Sequence, residues 1–532
     1  MSTATIAVLT PELIIVLTAT LIYVLGAFLP GKTFWGGVGL LGIAIAGFVL
    51  VGQRETLAAV ISSRQAGPLA VDGLGRMIRG LALLVGALFV LTASKPQNES
   101  LVPEYVGTVL MTVAGLMLVG GARELTLLFL GLELISIPTY VLLFLGRRDG
   151  ASAESSAKYF FLSILSSAIT LYGFSFLYGV GGSTRLDQIE AALDTARDGF
   201  AGGSLYAQLA LVLIFAGLGF KIAAVPFHFY APDVYQGTTH PNAGLLAVLP
   251  KIAGIAALVR IASIAMPGTE ATGIRVAMIL ALITMTLGNV TALWQTNIRR
   301  MLAYSSIAHA GYMLIGLAVA YGADLAPEGH EVKNVDGIGA AILYVMVYSL
   351  ATAGTFAAFA FLGSRDKQVD TLDDISGVAK KFPATALAIA VFMFSLTGLP
   401  PLAGFWGKFE LFSGAVELGT STAVPLGNWF LVLAVVGVLN AAVSAAYYLR
   451  IIGTMYFGDS TNTVAVGQGG NGARLAAFAS AILVIAVGLA PGRLAQKSRD
   501  AAASARATTA VNPAAATTPA AAASTNRLTA AR

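Results

Sequence analysis

The sequence predicts an all-α, polytopic membrane protein with about 14 transmembrane helices, and three observations point there. Its 532 residues are 57% hydrophobic and only 11% charged, against about 45–50% and about 25% in soluble chains. No set of soluble domains covers so much apolar surface. Fourteen stretches reach the length that crosses a bilayer: 6–29, 34–53, 75–94, 105–121, 123–145, 157–180, 206–230, 242–266, 273–295, 299–322, 337–363, 383–417, 428–452 and 472–492. Several of them also carry ionisable residues far from any helix end.

The spans differ in character. The third is the most exposed assignment, because Asp72, Arg76 and Arg79 crowd its start. No basic segment precedes the first span and no small-residue cleavage motif follows it, so it reads as a retained span. Lys and Arg fall almost evenly on alternate loops, which leaves orientation open. An even number of crossings puts both termini on one side. After Arg493 the chain turns to Ala, Thr and Pro with few bulky residues, which predicts a disordered tail over 497–532.

Composition excludes several chemistries. Cysteine is absent, so thiolate metal sites and iron–sulfur clusters have no ligands. Four histidines are too few and too scattered for a haem or zinc site, and the small net charge of +5 leaves no nucleic-acid footprint. Gly37, Gly39 and Gly42 spell G-x-G-x-x-G, but they lie in an apolar span with no preceding strand, so they predict close helix packing rather than nucleotide binding.

Two spans are interrupted. The stretch Tyr206 to Gln236 is too long for one straight crossing and carries Gly217, Gly219 and Pro226. The stretch Phe382 to Leu418 contains Gly398, Pro400 and Pro401, and adjacent prolines remove backbone donors and break a helix. Paired interruptions of this kind mark ion sites in transporters. Glu133 lies mid-span in the fifth stretch, Lys221 and Lys408 lie in the interrupted ones, and Lys251 lies in the eighth. A charge at the bilayer centre costs at least about 2.5–3.5 kcal/mol, so four of them predict function rather than accident. An ion pair at about 4 Å is worth about 4 kcal/mol at an effective dielectric of about 20. Forming or breaking a Glu133–Lys221 contact therefore matches the about 2.3 kcal/mol per charge that 100 mV of membrane potential demands.

Other polar residues are weaker candidates. Lys158 opens the sixth stretch and faces either an aqueous path or lipid headgroups. His309, in the tenth, follows Ser305 and Ser306 and suits either a hydrated proton path or a satisfied core position; His228, after Pro226, is similar. Glu12 reads as an N-terminal helix charge favoured by the dipole and Glu410 as a helix-end charge. Arg123 and Glu124 read as a short loop, Arg299 and Arg300 as an interface, and His240 and His330 as loop residues.

The runs GLELISIPTYVLL, FKIAAVPFHFYAPDVYQG, NIRRMLAYSSIAHAGYMLIG and GLPPLAGFWGKFELF together resemble the antiporter-like membrane subunits of respiratory complex I, and within them the N-type subunits. The resemblance covers about residues 5 to 492. It implies a fourteen-helix fold with two inverted five-helix repeats and discontinuous helices seven and twelve. The implied units are 1–104, 105–266 for helices four to eight, 267–452 for helices nine to thirteen, 453–496 and the tail 497–532. It also implies that both termini face the outer side of a bacterial plasma membrane. Glu133, Lys221, Lys251 and Lys408 match the family's helix-five glutamate and its helix-seven, -eight and -twelve lysines. A lysine at 408 argues against the M-type subunits, which usually place glutamate there, and the absence of a long lateral helix and further anchor argues against the L-type. The resemblance implies a proton relay coupled to quinone reduction, with no cofactor in this chain. NADH, FMN, iron–sulfur clusters and quinone belong to other subunits, and the partners are the other membrane subunits, neighbouring antiporter-like ones among them. A subunit of a multisubunit cation/proton antiporter and a passive membrane scaffold are the alternative readings.

Overall fold

A computed structural model describes residues 3–29, 34–53, 67–93, 101–147, 149–196, 201–264, 266–326, 335–364, 367–421, 424, 426–459 and 464–509. Among the described residues thirteen helices are each long and apolar enough to cross a membrane. In chain order the first six spans are Thr3–Phe28, Phe34–Gly52, Gly73–Ala93, Val102–Gly120, Leu125–Gly146 and Gly150–Gly181. The seventh is Ala201–Ile222, continued after a break by the short helix Tyr230–Gly237. The eighth to eleventh are His240–Leu258 with a π-helical end, Glu270–Ala292, Ile298–Asp324 and Gly337–Leu362. The twelfth crossing is made of two pieces, Pro383–Thr397 and Ala403–Thr420. Spans thirteen and fourteen are Gly427–Phe457 and Asn471–Leu489. The charged segment Asp373–Lys381 meets Pro383–Thr397 at 120°; this is a surface run turning into the bilayer, and the break in the twelfth span lies further on, at Gly398–Leu402.

Burial sorts the helices into layers. The eighth, tenth and eleventh spans are enclosed over 100%, 94% and 89% of their apolar windows, whereas the first, second, sixth and thirteenth are enclosed over 33–39%. The wholly enclosed helices therefore form a central axis, and the outer ones present Leu, Phe and Val to lipid or to neighbouring subunits. Glycine at 42 serves the packing that its pattern predicts, since a Cβ there would lie 2.6 Å from Thr18 of the first span.

Two expectations about ionisable residues are corrected, and the charges at the start of the third span are accounted for. Glu12 is no exposed helix-start charge: it is buried and takes both Nε and Nη2 of Arg79, at 2.6 and 2.5 Å. Asp72 likewise receives both Nη atoms of Arg260, at 2.8 and 2.9 Å. These two pairs let the third span begin among charges and still cross. His240 is the first residue of the eighth span rather than a loop residue, with Nε2 2.7 Å from the Val369 carbonyl. His330 lies outside the described residues.

The predicted tail is corrected over residues 497–509, and its remainder, 510–532, lies outside the described residues. Gly492–Thr509 is a helix that lies across the ends of the third and eleventh spans. Its buried face is Ala495, Ser498, Ala501, Ala502 and Ala505, at helical spacing. Small residues let it approach closely without the bulky stripe that marks an amphipathic helix in sequence. Ser504 accepts the Gly73 amide at 3.0 Å, Arg499 meets Glu410 at 3.3 Å and Arg506 meets Asp324 at 3.1 Å. Glu410 is thus a docking partner, not a free helix-end charge.

Two outcomes follow for stability. Arg79→Ala strands Glu12 in a dry site and costs about 3–5 kcal/mol, read as a lowered thermal midpoint of the detergent-solubilised protein, while Arg79→Met with Glu12→Met recovers most of the loss. Truncation after Arg499 removes three buried alanines and the Arg506–Asp324 pair, and lowers the yield of chain that co-purifies with its membrane partners; an unchanged yield would mean that the helix is ornamental.

Candidate proton-transfer site

The break in the seventh span creates backbone groups that no helix satisfies, and hydrocarbon offers no water to replace the missing partners. Nearby side chains supply them. Tyr230 donates to the Phe220 carbonyl at 3.0 Å and the Val225 amide donates to Thr284 at 3.0 Å. The Ile222 carbonyl is taken by Lys251 Nζ of the eighth span. The twelfth span repeats the device: Lys408 Nζ donates to the carbonyls of Leu396 and Thr397, at 3.0 and 2.9 Å. In both cases an ammonium sits on the last carbonyls of a helix, where the dipole favours positive charge. Lys251 is 1% and Lys408 4% exposed, so neither reaches a headgroup.

Lys221 is the penultimate residue before the first break. Its Nζ lies 3.8 Å from Glu133 Oε1 and donates to Ser136 at 2.5 Å and to Ser163 at 3.4 Å. Ser167 of the sixth span donates to the same Glu133 oxygen. The fifth, sixth and seventh spans thus converge on one ion pair. The pair is long enough for the serine hydroxyls to compete for it, which makes it easier to open than a fork-shaped arginine pair.

Between the two breaks runs a polar aromatic core. His309 places Nδ1 2.6 Å from the Tyr344 hydroxyl and Nε2 2.9 Å from the Tyr448 hydroxyl. Whichever nitrogen carries the proton donates, and the other accepts. Tyr348 lies tilted at 4.9 Å from the His309 ring, and its single hydroxyl proton points between Ser306 at 2.8 Å and the Ala247 carbonyl at 3.2 Å, one turn before Lys251. On the other side Tyr312 lies 5.8 Å from His309, ring to ring, and Lys408 Nζ stands 4.8 Å above the Tyr312 ring. Asn289 donates to the Tyr312 hydroxyl at 3.1 Å and accepts from Tyr447 at 3.0 Å.

Five of the six residues singled out in the sequence therefore fall into one row: Glu133, Lys221, Lys251, His309 and Lys408. Lys158 does not join it. The sixth span starts two turns earlier than expected, and Lys158 sits on its exposed side, 2.6 Å from Glu154 and 3.0 Å from Asp233. Asp233 is shared with Arg300 at 2.6 Å, so this cluster ties the sixth, seventh and tenth spans at one end of the row. Arg299, expected at an interface, is 1% exposed and bonded to Asp370 at 2.7 Å. His228 lies in the seventh-span break with Nδ1 enclosed and no partner for it in the described residues. The tyrosines at 312, 344, 348 and 448 and Asn289 escaped sequence reading. Tyr344 and Tyr348, four residues apart, could have shown as one polar face, but a tyrosine in an apolar span reads equally well as core. Among the described residues no group of three or more His, Asp or Glu could hold a metal ion.

Residues 122–437 match the family model described as "NADH:quinone oxidoreductase/Mrp antiporter, TM". The chain is 38% identical to NADH-quinone oxidoreductase subunit N of Trichlorobacter lovleyi, over 86% of this chain and 88% of that one. It is 36% identical to the subunit of the same name from Rhodospirillum rubrum, over 85% and 88%. Among solved structures it resembles a chain of respiratory complex I from Thermus thermophilus with bound aureothin, at a TM-score of 0.71 and 33% identity, covering 91% of this chain and 98% of that one. It also shares its fold with a chain of the Mrp complex from Dietzia sp., at a TM-score of 0.76 and 21% identity, covering 96% and 99%.

The packing at the second break makes a direct prediction. Gly398 has φ +94° and a Cβ there would lie 2.9 Å from Lys408 Cδ. Gly398→Ala therefore carries the left-handed penalty of about 1–2 kcal/mol and pushes Lys408 off its carbonyls, so the thermal midpoint falls; Gly37→Ala, with nothing within 4 Å of the added Cβ, leaves it unchanged.

Proposed function

Because the chain belongs to the NADH:quinone oxidoreductase/Mrp antiporter transmembrane family, we propose that its buried row is the proton path of an N-type membrane subunit of NADH:quinone oxidoreductase. It is a multi-pass plasma-membrane subunit of that translocase, and it works among adjacent antiporter-like subunits. Electrons pass from NADH to quinone elsewhere in the complex, and this subunit couples that energy to proton transfer. One observation carries the assignment: two lysines, each on the freed carbonyls of a broken helix, with Tyr348, His309 and Tyr312 set in sequence from the turn before Lys251 to Lys408. Protons enter on the inner side, near the Lys158–Asp233 cluster, and reach Lys221 or Lys251. Opening of the Glu133–Lys221 pair changes how tightly Lys221 holds its proton, and the charge moves through the polar aromatic core to Lys408 and out toward the face that carries both termini.

The units 105–266 and 267–452 each contain one broken span, fourth of five in both, which supports reading them as two half-paths. Identity of 35–38% to relatives named NADH-quinone oxidoreductase subunit N favours this function over a cation/proton antiporter, since the chain of the Mrp complex stands at 21%.

The test separates a proton carrier from a fixed charge. Arginine at 408 keeps the charge but holds its proton, with a pKa above about 12. Lys408→Arg and Lys408→Ala are both expected to assemble and to lower the number of protons taken up per electron in inverted vesicles oxidising NADH. Glu133→Ala and Lys221→Ala lower it as well. Full proton uptake by assembled Lys408→Arg would make Lys408 a structural charge, and normal uptake by all four variants would favour a passive scaffold.

A further inference from the structure

Lys408 lies near the start of the second half of the twelfth span, with the rest of that helix leading to the face that carries the termini. One turn further on, Leu411 lines a small, partly open cavity of about 20 Å³ together with Asp336, Glu410, Ser413 and Glu417. That volume has room for a single water molecule. Beyond it opens a cleft of about 370 Å³ lined by Asp336, Arg499, Asp500 and Arg506. Asp336 lines both spaces. It is the N-cap of the eleventh span, where its side chain accepts the Gly339 amide at 2.9 Å.

The C-terminal helix supplies the other wall. Arg499 is held over the site by Glu410 at 3.3 Å and Arg506 by Asp324 at 3.1 Å, while Ala495, Ala501, Ala502 and Ala505 seat the helix. The charged groups facing Asp336 are therefore Arg499, Arg506 and Asp500 from that helix, Glu410 and Glu417 from the twelfth span, and Asp324 from the end of the tenth. Burial pushes the Asp336 carboxyl above its ordinary value, and the Gly339 amide and both arginines act in the opposite direction.

We propose that Asp336 is the proton-release group of this subunit, receiving the proton that leaves Lys408 by way of the small cavity beside Leu411 and passing it to the open cleft under Arg499 and Arg506. The step balances: the Lys408 ammonium becomes an amine, the Asp336 carboxylate becomes a carboxylic acid, and the acid returns to carboxylate when water in the cleft takes the proton. The two arginines favour the carboxylate and so favour release. The C-terminal helix is then part of the exit, which accounts for its fixed place on the bundle. This rests on the reading of Lys408 as a proton carrier, and the experiment separates the two.

Asp336→Asn keeps an oxygen that accepts the Gly339 amide but cannot carry the proton. In inverted vesicles oxidising NADH, its protons per electron are expected to fall to the level of Lys408→Ala. A lowered ratio in Lys408→Ala with a wild-type ratio in Asp336→Asn overturns the release role and leaves the relay standing. Wild-type ratios in both overturn the relay and the release role together. A second variant, Arg499→Gln with Arg506→Gln, keeps Asp336 and removes the charges that favour its ionised form. It is expected to move the midpoint at which lumenal acid inhibits uptake to higher pH by about one unit or more, because an acid that holds its proton more tightly is stalled by milder acidity. An unmoved midpoint overturns the assigned role of the arginines.

Discussion

In hydrocarbon every backbone carbonyl needs a partner from within the protein, and a helix that stops halfway leaves several without one. This chain stops two helices halfway. The unpaired carbonyls of Ile222, Leu396 and Thr397 and the buried ammonium groups of Lys251 and Lys408 would each be costly alone. Together they cancel much of that cost. The same contact would let the proposed change of charge occur without a change of fold. A lysine that has given up its proton still has N–H bonds to donate to the carbonyl, so the break stays closed in both states while the charge comes and goes. On the proposed relay reading, a helix break gives each lysine both its structural partner and its functional seat.

The remaining buried cations follow a different rule. Arg79 meets Glu12, Arg260 meets Asp72 and Arg299 meets Asp370, all within 2.9 Å. Arginine does not give up its proton, and its planar fork fits a carboxylate with two bonds. These pairs are pegs: first span to third, third to eighth, and tenth to the segment that leads into the twelfth. The row from Lys221 to Lys408 has one carboxylate, Glu133, at the looser distance of 3.8 Å, with serines and tyrosines elsewhere. Permanent charges with tight partners hold the bundle, and the lysines of the proposed path have mainly neutral, hydrogen-bonding partners.

The sequence by itself determined the class, the fourteen crossings, the two interrupted spans and five residues of the row, because each is a local property. Length and hydropathy mark a span, Gly398-Leu399-Pro400-Pro401 forces a break, and a lysine among apolar neighbours is visible wherever it folds. What only the tertiary structure decided were the partners. Glu12 looked like a dipole charge because Arg79, which neutralises it, is 67 residues away. The tyrosines around His309 looked like core because an aromatic ring is at home in either place, and only the neighbours of its hydroxyl distinguish the two. Lys158 read equally well as facing an aqueous path or lipid headgroups, and only its partners Glu154 and Asp233 fixed its place. The C-terminal helix looked like a tail because its buried face is alanine, which packs by fitting closely rather than by offering apolar bulk. Hydropathy is read one residue at a time, whereas a hydrogen bond, an ion pair or a close fit belongs to two residues that meet only when the chain has folded.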